Sequence, residues 1–173
     1  MRKLLRITTR YNEIEDRVRI DADSNEEKTI TLWFTQRLLI RLANNCLEFL
    51  SNKPPESKKL SRGDKKAQEE FQSLLQQSAE RKTQGEDAVK VCDDSPILFV
   101  KAIDVKHSGE EVVLVFRETT ENQAMIAMSL EQLGQWLSIL SQIWRQAEWP
   151  MEIWPNWIGR NEQQAAPKNT SVH

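Results

Sequence analysis

The chain has 173 residues with a formal net charge of −2 and five glycines. That length fits one ordinary domain or two small packed units and buries a core without metals or disulfides. The charge excludes a globally basic nucleic-acid binder, so any such surface is local, and so few glycines leave little material for a phosphate-cradling loop. Cys46 and Cys92 have neither disulfide nor zinc spacing. No apolar run approaches the length of a membrane span, and the first residues, MRKLLRITTR, lack the apolar core of a signal peptide. The expectation is a cytoplasmic protein with no membrane partner.

The first segment, Leu4 to Tyr11, alternates. Leu5, Ile7, Thr9 and Tyr11 are expected to face a core, and Arg6, Thr8 and Arg10 to face solvent. Asn12 to Asp16 reads as a turn. Arg17 to Ala22 reads as a returning strand with Val18 and Ile20 inward and Arg17 and Arg19 outward. After a second polar turn over Asp23 to Glu27, Lys28 to Phe34 reads as a third strand. Ile30, Leu32 and Phe34 point in, and Thr31 and Trp33 point out. Thr35 is placed to cap a helix over Gln36 to Leu50, whose face carries Leu39, Leu42, Ala43, Cys46, Phe49 and Leu50.

Composition then shifts. Residues 51–95 read as a linker around an amphipathic helix at about 64–82, striped by Ala67, Phe71, Leu74 and Leu75. Strands are expected again at Ile97 to Val105, Glu111 to Arg117 and Gln123 to Met128, with a hairpin turn at His107-Ser108-Gly109. The clearest helix of the chain follows, over Ser129 to Trp149. Leu130, Leu133, Leu137, Leu140, Trp144 and Ala147 line one face, Ser129 and Gln132 form a capping-box pair, and Pro150 stops it. A shift of 94 positions lays the first half on the second without a gap: Leu5 on Phe99, Val18 on Val112, Leu32 on Ile126, Thr35 on Ser129.

The fold class is therefore α+β: duplicated β-β-β-α units with antiparallel sheet or sheets, an intervening amphipathic helix and a Trp-rich C-terminal segment. The units span 1–50 and 96–149, and 150–173 is the Trp/Pro segment with a polar tail expected to be disordered. Strands followed by a helix, present twice, resemble in topology the PUR-repeat and Whirly single-stranded nucleic-acid binders. Those modules use four strands per unit where three are counted here.

No P-loop, G-x-G-x-x-G, H-E-x-x-H, C-x-x-C or G-x-S-x-G occurs. His107 reads as a solvated turn residue. Glu13-Glu15-Asp16, Asp21-Asp23, Glu26-Glu27 and Asp93-Asp94 read as solvated turn carboxylates. The stretch from Asp21 lacks the sixth-position glycine of a calcium loop and has Leu32 where its last glutamate belongs. No catalytic residue, cofactor or metal site is expected.

Three surfaces remain. Val100, Ala102, Val113, Val115, Met125 and Ala127 make the outer face of the second unit apolar, so something must cover it. The segment WPMEIWPNW offers tryptophans of the kind that dominate interfaces. These point to a non-enzymatic protein–protein interaction module or complex subunit, or to self-association, through Trp149, Met151, Ile153, Trp154, Trp157, Val113 and Val115. The third surface is the first unit's outer face. There Arg6, Arg10, Arg17, Arg19 and Trp33 suit single-stranded nucleic acid, cations on phosphates and a ring on bases. That is the alternative function.

Overall fold

The computed structural model describes residues 1–26, 28–52, 87–108 and 111–158. The expected helix at 64–82 and the polar tail lie outside the described residues. The chain is α+β. Its strands are β1 (Arg2–Asn12), β2 (Arg17–Ser24), β3 (Thr29–Phe34), β4 (Ile97–Phe99), β5 (Ala102–Ser108), β6 (Glu111–Arg117) and β7 (Gln123–Ser129). Its described helices are α1 (Gln36–Asn52) and α2 (Leu130–Gln146).

All seven strands join one sheet in the order β4-β3-β2-β1-β7-β6-β5. The sheet is mixed, which corrects the antiparallel expectation. Neighbours within each half are antiparallel, but β1 pairs with β7 in parallel at Arg2↔Ala124 and Lys3↔Met125. In the same way β4 runs parallel to β3 at Thr31↔Ile97, Leu32↔Leu98 and Trp33↔Phe99. Each half thus lends the start of its first strand to the third strand of the other. A three-stranded unit is near the minimum for independent stability, and this exchange ties both units into one body.

The sheet curls until its two edges belong to one stretch of chain. The Val100 N–H donates to the Trp33 carbonyl at 3.0 Å, and the next residue, Lys101, donates to the Arg117 carbonyl at 2.8 Å. The expected strand from Ile97 to Val105 is therefore broken at Val100–Lys101. Its side chains change phase there: Leu98 is buried while Ile97 and Phe99 are exposed. The first strand also changes phase near its start. Leu4 is opposite Ser24 and Arg6 opposite Asp23, so Leu5 is the extra residue of a bulge. Leu4 is buried and Leu5 is 63% exposed, which corrects the inward placement of Leu5.

The core lies inside the curl. Val18, Ile20 and Ala22 of β2, Ile30, Leu32 and Phe34 of β3, and Val112, Leu114 and Phe116 of β6 meet the two helices. Phe34 and Phe116 touch edge to face at 5.3 Å and join the halves. From α1 come Leu39, Leu42, Ala43 and Cys46; from α2, Leu133, Trp136, Leu137, Leu140 and Trp144.

Helix α2 begins as its sequence dictates. Ser129 accepts from the Gln132 N–H, and the Gln132 side chain accepts from the Ser129 N–H. It ends by a different device from the one expected. Glu148 is left-handed at φ 54, its N–H reaches the Arg145 carbonyl, and the Trp149 N–H reaches the Trp144 carbonyl. That is a Schellman stop, completed by contact between Trp144 and Trp149. Pro150 follows the stop rather than causing it.

Candidate interaction surface

The outer face of β1–β4 is read from its registers. Arg10 lies opposite Arg19, Arg19 opposite Trp33, and Trp33 opposite Phe99. The row is Arg10–Arg19–Trp33–Phe99 across four strands. The next row is Thr8–Asp21–Thr31–Ile97, and the third begins Arg6–Asp23–Thr29. Four of the five residues expected to contact nucleic acid are thereby placed on this face, and Arg17 follows two positions before Arg19 on the same strand.

The arginines are not equivalent. Arg19 Nε donates to Asp21 Oδ1 at 2.7 Å, and its guanidinium carbon sits 5.9 Å from the centre of the Trp33 ring. Thr31 Oγ1 donates to the same Asp21 oxygen at 2.8 Å. Arg6 holds Asp23 Oδ2 at 2.9 Å and the Asp87 carbonyl at 3.2 Å. Among the described residues, neither Arg10 nor Arg17 has an ion-pair partner. Arg10 faces Arg19 directly, and like charges opposite each other across a strand pair destabilise it. Asp21 relieves Arg19, while Arg10 retains its unmatched charge.

Asp21 corrects the sequence reading. It lies in β2, not in a turn, and is 1% exposed. Thr31, expected to face solvent, is buried as well. The cover is the chain on its way into β4. The Val89 N–H donates to Thr8 Oγ1 of β1 at 2.9 Å. Ser95 Oγ meets Thr29 Oγ1 of β3 at 2.6 Å, and the Thr31 N–H donates to the Pro96 carbonyl at 3.0 Å. The segment therefore crosses from β1 to β3 over β2, and its own Val89 is buried. Under that cover Asp21 keeps its hydrogen bonds from Arg19 and Thr31, as a buried polar group requires.

The aromatic end of the face stays open. Ile97 is 53% and Phe99 47% exposed, beside half-buried Trp33. The sequence reading missed both, because the phase break that turns them outward depends on which strand each residue pairs with.

The Trp-rich segment folds onto its own chain. Trp149, Trp154 and Trp157 are buried, and Met151 and Ile153 are partly buried against the core. Trp144 meets Trp149 edge-on at 4.8 Å and Trp154 at 5.4 Å. Asp16 Oδ1 accepts from the Trp149 indole N–H at 3.2 Å and from the Tyr11 hydroxyl at 2.7 Å. The hydrogen bond to Asp16 and its negative charge push the Tyr11 pKa up. Asp16 itself adopts φ 47, a left-handed turn conformation that aspartate tolerates.

Val100, expected on the second half's outer face, instead joins the core in phase with Leu98, because the strand break comes after it; on the outer face Val115 is buried. Ala102, Val113 and Met125 are half-buried and Ala127 is exposed. Of the residues expected to bind a partner, Trp149, Trp154, Trp157 and Val115 are thus enclosed, while Met151, Ile153 and Val113 keep partial exposure.

His107 lies in β5, not in a turn, and stacks on Phe49 of α1 with ring centres 3.9 Å apart. Burial pushes the Cys46 thiol up to about 12, which makes it unreactive. Among the described residues, no group of three or more His, Cys, Asp or Glu side chains could hold a metal ion. Among those same residues, no helix is long and apolar enough to cross a membrane.

Comparison of the chain with protein-family models, curated proteins and solved structures gives no match.

Proposed function

We propose that this protein is a non-enzymatic, cytoplasmic interaction module that binds a protein partner through the open end of its outer sheet face. The observation that carries this reading is the row Arg10–Arg19–Trp33–Phe99 with Ile97 beside it. Exposed Ile97 and Phe99 supply apolar anchors. Trp33 and arginine are the residue types enriched among interface hot spots. The unmatched charges of Arg10 and Arg17 favour an acidic segment, because charge complementarity steers encounter and fixes orientation. This surface replaces the Trp-rich segment as the docking candidate, since that segment is spent on its own core.

The two halves are, in our reading, copies of one β-β-β-α unit. Three features support this. Helices α1 and α2 both have 17 residues and start 94 positions apart, at Gln36 and Leu130. Both first strands change phase near their start, at Leu5 and at Val100–Lys101. Both lend their first residues to the other half. The copies differ in their outer faces: one carries charge, the other is apolar.

The test is affinity capture from the native cell extract with the wild-type chain, with Ile97→Ser/Phe99→Ser and with Arg10→Glu/Arg17→Glu. A partner retained by the wild type and lost from both variants is the expected result. A partner held equally by all three sinks the proposal.

The same row also favours a second reading, single-stranded nucleic acid stacked on Trp33 and Phe99 with its phosphates at Arg10 and Arg17. Anisotropy of a labelled single-stranded oligonucleotide separates the two. Binding that weakens with salt and is lost in Arg10→Glu/Arg17→Glu supports nucleic acid; no binding at low salt removes it. Arg19 is unsuited to either test, because it neutralises buried Asp21 and its loss reports on folding.

A further inference from the structure

A second surface lies where β1 and β7 part. Their parallel pairing ends at Lys3↔Met125, yet β1 continues to Asn12 and β7 to Ser129. The bulge at Leu5 sits two residues after Lys3, the last paired residue. Bulges bend a strand and end its pairing, so the bulge accounts for the parting. Beyond it, no described strand pairs with the β7-facing edge of β1 or the β1-facing edge of β7. Two rows of main-chain donors and acceptors are left facing one another.

Between them is a cleft of about 480 Å³. Helix α2 forms one wall with Gln132, Gln135, Trp136 and Ile139, and the Trp136 indole N–H anchors that wall to Thr9 Oγ1 of β1 at 3.0 Å. Ile126 and Met128 add apolar lining from β7, while Leu5 and Ala127 are exposed. The charged residues of the lining are Arg6 and Asp87. Arg6 is already held by the Asp23 carboxylate and the Asp87 carbonyl.

We propose that this cleft takes an extended, apolar segment of a partner protein, which adds as a strand to β1 or β7. Only the main chain of an extended peptide presents donors and acceptors alternately at strand spacing, and strand addition of this kind draws its affinity from those bonds. Alternate side chains of the guest would enter the cleft, where Ile126, Met128 and Ile139 call for apolar groups. Arg6, the cation of the described lining, is already paired with Asp23, so an acidic guest side chain would lose water there and gain no free partner. This site is separate from the Ile97–Phe99 surface and stands whether or not that surface binds a partner.

The experiment selects binders for the full chain from a displayed library of random linear nonapeptides. The enriched peptide is then synthesised and titrated by calorimetry. The expected result is a peptide of alternating apolar residues whose affinity drops at least tenfold with Ala127→Trp, which blocks the mouth. Affinity should drop equally when the peptide is N-methylated at alternate residues, a test that leaves the protein unaltered, and should be unchanged by Ile97→Ser/Phe99→Ser. Amide exchange at Leu5–Thr9 and Ile126–Met128 should slow when the peptide binds. The proposal is overturned if no peptide is enriched, or if N-methylation leaves affinity intact, which would mean a side-chain pocket only. It is also overturned if those amides are all protected in the free chain, which would mean that the chain fills its own cleft.

Discussion

Helices α1 and α2 have the same length and the same position in their halves, yet they are stabilised differently. Helix α2 has a reciprocal capping box, Glu131 in its first turn and Arg145 in its last, each complementing the helix dipole. It ends in a Schellman motif and is sealed by tryptophans. Helix α1 has no acidic residue in its first turn and no basic one in its last. Its Thr35 cap is a long 3.4 Å bond. It buries Leu39, Leu42, Ala43, Cys46 and Leu47, and among the described residues its aromatic contact is the single Phe49–His107 stack rather than a tryptophan layer. One apolar stripe can therefore serve two purposes. In α1 it suffices to hold the helix on the sheet; in α2 it is also the platform for the segment that follows.

The largest expected effect is at that platform. Trp144→Ala should cost about 3–5 kcal/mol in denaturant unfolding and abolish the near-ultraviolet circular dichroism of the Trp149–Trp154 cluster. Leu39→Ala in α1 should cost about 2–4 kcal/mol and leave that signal in place. If both variants lose it, the tail depends on the whole core rather than on Trp144.

The caps give the next step down. Ser129→Ala should cost about 1 kcal/mol, and Thr35→Ala clearly less. Equal losses would show that the 3.4 Å bond is worth as much as the capping box.

Glu148→Gly should stabilise the chain by up to about 1 kcal/mol, because glycine takes the left-handed stop without a Cβ penalty. A lower melting temperature would mean that the Glu148 side chain holds something the stop needs.

The smallest effect near neutrality concerns Cys46. Its folded thiol titrates at about 12, above the roughly 8.5 of a free thiol. The folded state therefore holds the proton more tightly. The linked stability is full below about pH 8.5 and is lost as pH rises toward 12. Tyr11, also raised, adds a loss in the same direction from about pH 10. Cys46→Ala should make the alkaline decline shallower; an unchanged slope would assign it to Tyr11 or to other groups.

The sequence made the regular parts legible. The three- and four-residue spacing of Leu133, Leu137, Leu140 and Trp144 defines α2, and Ser129 with Gln132 marks its start. Val18, Ile20, Ile30, Leu32 and Phe34 keep the alternation that places them inside. Other features depended on distant pairings. Leu5 looked inward because alternation assumes an unbroken strand, and the bulge is set by how β1 passes from β7 to β2. Ile97 and Phe99 turned outward for a related reason at the other junction. Asp21 looked wet because its cover, the chain around Val89, lies nearly seventy residues away. The Trp-rich segment could be read as tail or as clamp; Asp16, which holds it, sits in the first hairpin.

The most direct test of the account is capture of partners by the wild type against Ile97→Ser/Phe99→Ser, with circular dichroism establishing that both chains are folded. A specific partner with an acidic contact segment should be retained by the wild type and absent from the folded variant. Identical recovery by the two chains would contradict it and leave the outer face of the first half as a solvated surface.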